Sequence, residues 1–165
     1  MPLQLPPAFV LDSNVFISAA KGTERWSSQC LDCLEQVALG HARAYYNAVV
    51  RAEIQRVFSR TSASVSATER DKKVAAALRL LVPLATGAEL GELAAAIAHQ
   101  MDRRLRARGK FKDFSSLTCD GLIAATALTN DVPVVTLDGD FDIFFSWPFG
   151  GNRRRLRAFL IWRQP

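Results

Sequence analysis

The sequence predicts an α/β domain built around a mainly parallel sheet. Two short apolar runs, AFVLD at 8–12 and VPVVT at 132–136, have the length and composition of buried strands. Segments with helical periodicity lie between them, and strands that alternate with helices favour a parallel sheet. The chain has 165 residues and shows neither an internal repeat nor a long linker, so we expect one domain over 1–165.

The first half of the chain adds helices and one further strand to this pattern. SNVFISAA at 13–20 directly follows the first strand and begins a helix. Apolar side chains recur at helical spacing over 25–40, which is typical of an amphipathic helix. ARAYYN at 42–47 has a strand-like composition, and residues 48–59 again have helical periodicity.

The second half continues the alternation. TSASVSAT is rich in turn-forming residues, and Ser66 with Glu69 has the spacing of a capping box, which predicts a helix from there to about Leu81. We expect further helices over 88–108 and 116–130, separated by the polar loop GKFKDFSS. FDIFF is expected to extend the strand region after VPVVT, and RRRLRAFLIW to supply a final strand.

The composition limits the class of protein and its partners. Hydrophobic residues make up 49% and charged residues 22% of the chain, which disfavours intrinsic disorder. No apolar run approaches the roughly 18 to 20 residues of a membrane helix, and MPLQLPPAFVLD lacks the features of a signal peptide. We therefore expect a cytoplasmic protein, and its net charge of +5 favours a polyanionic or acidic partner.

The three cysteines suit a reducing compartment better than a disulfide framework. Cys30 and Cys33 form one C-x-x-C inside a predicted helix. Zinc would need two more ligands, and the two histidines, His41 and His99, do not form a matching pair. A redox motif would follow a strand. We therefore expect Cys30 and Cys33 to be small buried side chains.

Two aspartates stand at the carboxyl ends of the two clearest strands. Asp12 follows Phe9-Val10-Leu11, and Asp138 comes two residues after Thr136. Open α/β sheets bind ligands at this edge, where neighbouring parallel strands would bring the two aspartates together. The alternatives are a helix N-cap for Asp12 and an ordinary turn residue for Asp138 in LDGD.

Two further acids fall on apolar helix stripes. Glu53 shares the helix face of Val50 and Ile54. Asp120 shares the face of Ile123, Ala124 and Ala127. A carboxylate that faces the core loses hydration, which is costly unless it is paired or binds a metal. For Glu53 the alternative is a buried ion pair with Arg51 or Arg56.

Taken as a set, the four acids predict a divalent metal site. Like charges at a few ångströms repel, so four converging carboxylates need a cation. Mg²⁺ and Mn²⁺ prefer oxygen ligands, and no Cys or His is close enough in sequence to indicate zinc. The chemistry expected of such a site is hydrolysis by metal-activated water, without a covalent intermediate.

Four stretches of the chain resemble the PIN-domain nucleases. They are FVLDSNVFI, VVRAEIQRV, SLTCDGLIAATAL and VPVVTLDGDFD, and together they span residues 9 to about 142. In size the chain is most similar to the VapC toxins of bacterial toxin–antitoxin pairs. The order of the motifs, with an Asp after the first strand, a helical Glu, a helical Asp and T-x-D-x-D-F, is more specific than any one of them.

The resemblance implies a three-layer α/β/α fold with a central, mainly parallel sheet of about five strands. It also implies a Mg²⁺- or Mn²⁺-dependent ribonuclease, an antitoxin partner and a homodimer. The family's acids correspond to Asp12, Glu53, Asp120 and Asp138, with Asp140 as an alternative or additional metal ligand. Two polar residues, Asn14 and Thr136, fall where the family has a supporting shell around the metal. The extra length at about 60–115 has no counterpart from which partner or substrate details carry over.

Basic residues cluster in two runs that are candidates for phosphate contact. The first contains Arg103, Arg104, Arg106, Arg108, Lys110 and Lys112, and the second contains Arg153, Arg154, Arg155 and Arg157. We assign RNA binding to the four arginines of the first run, although they do not share one helical face. The alternatives are a solvated helix end and contacts to an acidic antitoxin segment.

Two other functions remain open at this point. A haloacid-dehalogenase-type phosphatase also places an Asp after its first strand, but its chemistry requires D-x-D, and here the second position is Asn14. The other function is a non-catalytic RNA- or protein-binding module that keeps the fold alone.

Overall fold

The structure, a computed structural model, describes residues 3–61, 69–84, 89–149 and 151–163. Within these ranges the chain forms six α-helices and seven strands. The helices are α1 Ser13–Lys21, α2 Ser27–Ala38, α3 Ala48–Thr61, α4 Glu69–Leu80, α5 Glu89–Ala107 and α6 Phe114–Thr129. The strands are β1 Ala8–Leu11, β2 Arg43–Tyr46, β3 Val82–Pro83, β4 Val134–Thr136, β5 Ser146–Phe149, β6 Asn152–Arg155 and β7 Ala158–Leu160.

Five parallel strands form the central sheet, in the order β3-β2-β1-β4-β7. Strand β1 lies in the middle, where Val10 is paired with Tyr45 of β2 on one side and with Val134 of β4 on the other. Helices flank the sheet in an α/β/α arrangement, which confirms the predicted fold class and strand number. Residues 9–11 and 134–135 are fully buried, as expected of parallel strands covered on both faces.

Helices α5 and α6 pack closely because α6 carries a glycine at their contact. A Cβ atom at Gly121 would lie 2.4 Å from the backbone oxygen of Ala94. The contact places α6 against the sheet with Ile123, Ala124 and Ala127 buried. Asp120 precedes this glycine, so the close approach of the two helices also fixes the backbone that carries its side chain.

The prediction for FDIFF is wrong. Gly139–Phe141 form a 3₁₀ turn, and the following residues run irregularly to β5. The apolar character of this segment comes from Phe141 and Ile143, whose side chains are buried in the core without strand pairing. RRRLRAFLIW supplies β7 as predicted, but its first residues belong to β6, which forms a separate antiparallel hairpin with β5.

The burial of Cys30 and Cys33 agrees with the sequence prediction. Cys30 and Cys33 are free thiols buried in the core on α2, and burial raises the pKa of both, that of Cys30 to about 11. None of the helices in the described ranges is long and apolar enough to cross a membrane. Ser66 of the predicted capping box lies outside the described residues.

Candidate metal and nucleic-acid site

Asp12 and Asp138 lie side by side at the carboxyl edge of the sheet. Their strands, β1 and β4, are parallel neighbours, and the backbone N–H of Asp12 donates to the carbonyl of Val135 at 3.0 Å. Asp12 occupies the N-cap position of α1, but its side chain makes no capping hydrogen bond. The structure therefore does not support the N-cap alternative for this carboxylate.

A polar network holds one oxygen of Asp12 in place. Its Oδ2 accepts hydrogen bonds from Asn14 Nδ2 and from Thr136 Oγ1, each at 2.7 Å. Thr136 Oγ1 in turn accepts from the backbone N–H of Asp138 at 2.8 Å, and the side-chain oxygen Oδ1 of Asn14 accepts from the backbone N–H of Leu137 at 3.2 Å. Asn14 and Thr136 thus lie where a supporting shell was expected.

The Asp12 carboxylate is held in an unfavourable environment for a charge. It is 5% exposed, and burial raises its pKa from an ordinary value of 3.8 to about 7. The hydrogen bonds from the Thr136 hydroxyl and from the backbone N–H of Asn14 oppose this effect, while the negative charges of Asp120 and Asp138 add to it.

Asp120 contributes a second buried carboxylate from α6. Its side chain is 14% exposed, and burial raises its pKa to about 6. The atom Oδ2 is buried and accepts no hydrogen bond of good geometry. It does lie 2.6 Å from the ammonium nitrogen of Lys112, so the contact is an ion pair.

Lys112 links Asp120 to the acids that follow β4. Its Nζ lies 2.7 Å from Asp138 Oδ2 and 3.3 Å from Asp140 Oδ2. Burial alone would lower the pKa of Lys112, but its close contacts with the negatively charged Asp120 and Asp138 raise it overall. The sequence places Lys112 in a basic run for phosphate contact, whereas the structure places its ammonium among three carboxylates.

Glu53 lies one hydrogen bond away from this cluster. Ser13 Oγ donates to Glu53 Oε2 at 2.5 Å and lies 3.5 Å from Asp12 Oδ1, so a hydroxyl connects the two acids. Ser13 was not predicted as a site residue. Its position directly after Asp12, at the start of α1, is the one sequence signal that could have indicated it.

The donor chemistry fits an oxygen-binding divalent cation. Several carboxylates converge from the end of β1, from α6 and from the turn after β4, and Asp120 presents a buried oxygen without a well-formed hydrogen bond. As the side chains stand, no three Asp, Glu, His or Cys residues in the described part of the chain are placed to hold a metal ion. The position between Asp120, Asp138 and Asp140 is taken by the Lys112 ammonium.

A cleft of about 740 Å³ opens beside the carboxylates. Asp138, Asp140 and Lys112 line it together with basic and aromatic side chains. These are Arg104, Arg108, Lys110, Phe111, Trp162 and Arg163. Cation and aromatic side chains of this kind suit a single nucleic-acid strand, because they contact phosphates and stack with bases.

The four arginines predicted to bind RNA do not share this cleft. Arg104 and Arg108 line it, whereas Arg103 lines a neighbouring hollow with Phe144 and Arg155. Arg106 forms an ion pair with Asp102 at 2.7 Å on another side of α5.

Residues 9–144, most of the chain, match the family described as the PIN domain. The chain belongs to the PIN-domain family. PIN domains are generally nucleases. No curated protein sequence was found to match this PIN domain.

Comparison with solved structures found one with a TM-score above 0.5. This PIN domain is similar to "VapBC2 from Rickettsia felis bound to a DNA fragment from their promoter", with a TM-score of 0.51, 19% identity, and coverage of 79% of this chain and 87% of that chain. It also aligns with FitAcB from Neisseria gonorrhoeae, with a TM-score of 0.46, 21% identity, and coverage of 94% and 99%. At 19% sequence identity, the similarity to the Rickettsia felis structure shows a shared fold and nothing more.

Proposed function

We propose that this PIN domain is a Mg²⁺- or Mn²⁺-dependent endoribonuclease and the toxin of a toxin–antitoxin pair. The observation that carries the proposal is the convergence of Asp12, Asp120 and Asp138 at the carboxyl edge of the sheet, beside a basic and aromatic cleft. Burial raises the pKa of Asp12 and Asp120, and Asp138 next to them lines the cleft. Carboxylates with perturbed pKa values beside a cleft are typical of functional sites.

In the proposed reaction, water attacks an RNA phosphodiester and the bond from phosphorus to the leaving oxygen breaks. A bound divalent ion would lower the pKa of the water and neutralise charge on the phosphate. Asp12, Asp120 and Asp138, with Asp140 as a further candidate, would supply the oxygen ligands. Glu53, oriented by the hydroxyl of Ser13, is our candidate for aligning the water and accepting its proton.

The cleft supports an unpaired RNA strand as substrate. Phe111 is 78% exposed at the cleft, and Trp162 is fixed there by the hydrogen bond from its Nε1 to the carbonyl of Leu137 at 3.1 Å. Bases can stack on these rings only when they are not paired within a duplex. We assign phosphate contact first to Arg104 and Arg108, since both line the cleft, and only second to Arg103 and Arg106.

The partner proposals rest on the family resemblance. The Rickettsia felis structure is of VapBC2 bound to a DNA fragment from their promoter. Because the motifs of this chain resemble those of the VapC toxins, we propose that it acts with a cognate antitoxin. We also propose a homodimer. Growth arrest on expression of the wild type but not of Asp12→Asn, relieved by the protein encoded next to it, would support the toxin assignment.

A test of the catalytic proposal compares RNA cleavage with Mg²⁺, with Mn²⁺ and with EDTA. We expect metal-dependent cleavage by the wild type and a loss of at least about a hundredfold in Asp12→Asn and Asp120→Asn, because even residues that only orient the ligands of a metal contribute about ten- to a hundredfold. Asp131→Asn is the matched control. Asp131 has a φ of 52° in an exposed turn, and asparagine adopts this conformation readily. Cleavage in EDTA, or full activity in both site variants, would refute the proposal.

One observation favours a second function, a non-catalytic binding module. The ammonium of Lys112 already forms ion pairs with three carboxylates and offsets part of their negative charge, as expected of a protein that has no need of a metal. Such a module would bind RNA equally well with and without divalent ions, and would bind Mn²⁺ no better in the wild type than in Asp120→Asn.

A further inference from the structure

The ammonium group of Lys112 is surrounded by carboxylates, as a bound metal ion would be. Its ammonium has three N–H donors, and three carboxylates from α6 and from the turn after β4 lie at 2.6, 2.7 and 3.3 Å. The side chain is 22% exposed, which is low for lysine. Two of the contacts, to Asp138 and Asp140, are hydrogen bonds, and the contact to Asp120 is an ion pair.

The backbone on both sides of Lys112 is fixed. Before it, the N–H of Lys110 donates to the carbonyl of Leu105 at 2.9 Å and closes the end of α5. After it, the Asp113 carboxylate accepts from the backbone N–H and the hydroxyl of Ser116, at 2.9 and 2.6 Å, and caps α6. The side chain is therefore the element that can leave the carboxylates without local unfolding.

The ammonium and a divalent ion need the same oxygens. Like charges a few ångströms apart repel strongly where water is largely excluded, so both cations are not accommodated between Asp120 and Asp138. The displaced ammonium has space available, because Lys112 lines both the 740 Å³ cleft and a groove of about 360 Å³ beside α5 and α6. In the cleft it would lie where the phosphates of the proposed RNA substrate pass.

We propose that Lys112 is a built-in counter-ion that stabilises the metal-free carboxylate cluster and that a divalent metal must displace. The inference rests on the proposed metal-dependent function and specifies its regulation. Because Lys112 competes for the carboxylate oxygens, it lowers the metal affinity of the site. The concentration of free divalent ion then controls the assembly of the active site.

The test is a Mn²⁺ titration followed by electron paramagnetic resonance, using the full chain at neutral pH. Lys112→Met removes the competing charge, and we expect it to bind Mn²⁺ about ten- to a hundredfold more tightly than the wild type. Lys112→Arg keeps the charge and should stay within a few-fold of the wild type. Lys110→Met is the matched control, because it removes an exposed lysine of the same cleft, and it should also stay near the wild type.

Thermal unfolding is a second measurement, and it compares the stability of the variants. Without metal, Lys112→Met should unfold at a lower temperature than the wild type, and Mn²⁺ should raise its Tm by more than it raises that of the wild type. If the methionine variant is insoluble, Lys112→Gln provides the neutral side chain for the same comparison.

The outcomes separate this inference from the proposed function. If the wild type binds Mn²⁺ and Lys112→Met binds it equally or more weakly, Lys112 positions the carboxylates and does not compete, so only this inference fails. If Lys112→Arg gains as much affinity as Lys112→Met, competition by charge is wrong. If no protein in the set binds Mn²⁺, both proposals are overturned.

Discussion

Removing the charge of Asp12 should stabilise the metal-free protein while abolishing its proposed activity. The carboxylate is 5% exposed, and its pKa is about 7 compared with an ordinary value of 3.8. Asparagine has nearly the same shape, and its amide oxygen can accept the hydrogen bonds that Asn14 and Thr136 now donate to Oδ2. The substitution Asp12→Asn therefore removes charge with little change in packing.

The size and sign of the effect follow from proton linkage. The folded protein binds the Asp12 proton more tightly than the unfolded chain, so this contribution to stability is full below about pH 4. It is lost as the pH rises through about 7. One pKa unit corresponds to about 1.4 kcal/mol, so above pH 7 the ionised Asp12 lowers the free energy of unfolding by up to about 4 kcal/mol.

Urea unfolding in EDTA measures this contribution. Between about pH 5 and pH 8 the wild type should lose about 3 kcal/mol more stability than Asp12→Asn, because Asp12 alone differs between them. At pH 8 the variant should be the more stable protein, and added Mn²⁺ should raise the stability of the wild type only. If Asp12→Asn is no more stable than the wild type at pH 8, Asp12 is not the strained carboxylate that we infer.

Three further predictions concern packing, RNA binding and the choice of metal ligand. Gly121→Ala should destabilise the protein by about 1–3 kcal/mol in urea unfolding, because its Cβ would meet the Ala94 backbone oxygen at 2.4 Å. Phe111→Ala in an inactive background should weaken the binding of single-stranded RNA by about tenfold in fluorescence anisotropy, since a stacking surface is lost. Asp138→Asn should lose more Mn²⁺ affinity than Asp140→Asn, because Asp138 lies closer to the ammonium that marks the cation position.

For each of these predictions, a control variant or a comparison defines the result that would contradict it. Gly91→Ala lies on α5 in open space and should be neutral or stabilising; equal losses at both glycines would argue against the helix contact. Phe114→Ala removes a ring that is 84% exposed outside the cleft and should leave RNA affinity unchanged. Equal Mn²⁺ affinity in the two aspartate variants would mean that neither carboxylate is the preferred fourth ligand.

Much of the fold could be predicted because its elements are encoded locally. The buried strands β1 and β4 are continuous apolar runs, and most helices show their buried face as a periodic stripe. The strand prediction for FDIFF was wrong because single apolar side chains of an irregular segment are buried in the core there, without strand pairing. Strand β3 was missed because two residues, Val82 and Pro83, are too short a run to show a strand pattern.

The acids of the site could be predicted for a different reason, which is the conflict between charge and burial. Asp120 lies on an apolar stripe, and Asp12 ends an apolar run, so each needed a partner. The identity of that partner could not be predicted from the sequence, because an ion pair between residues far apart in the chain leaves no local sequence pattern. Lys112 lies 26 and 28 residues from Asp138 and Asp140, and the neighbouring cations made it look like a phosphate contact.

Anomalous scattering from a crystal soaked in Mn²⁺ would locate the metal without reference to activity. We expect a peak within coordination distance of carboxylate oxygens from Asp12, Asp120 and Asp138, with the Lys112 side chain moved away from them. A peak elsewhere on the surface, or density that leaves the Lys112 ammonium between Asp120 and Asp138 at saturating Mn²⁺, would contradict the metal site and the mechanism that depends on it.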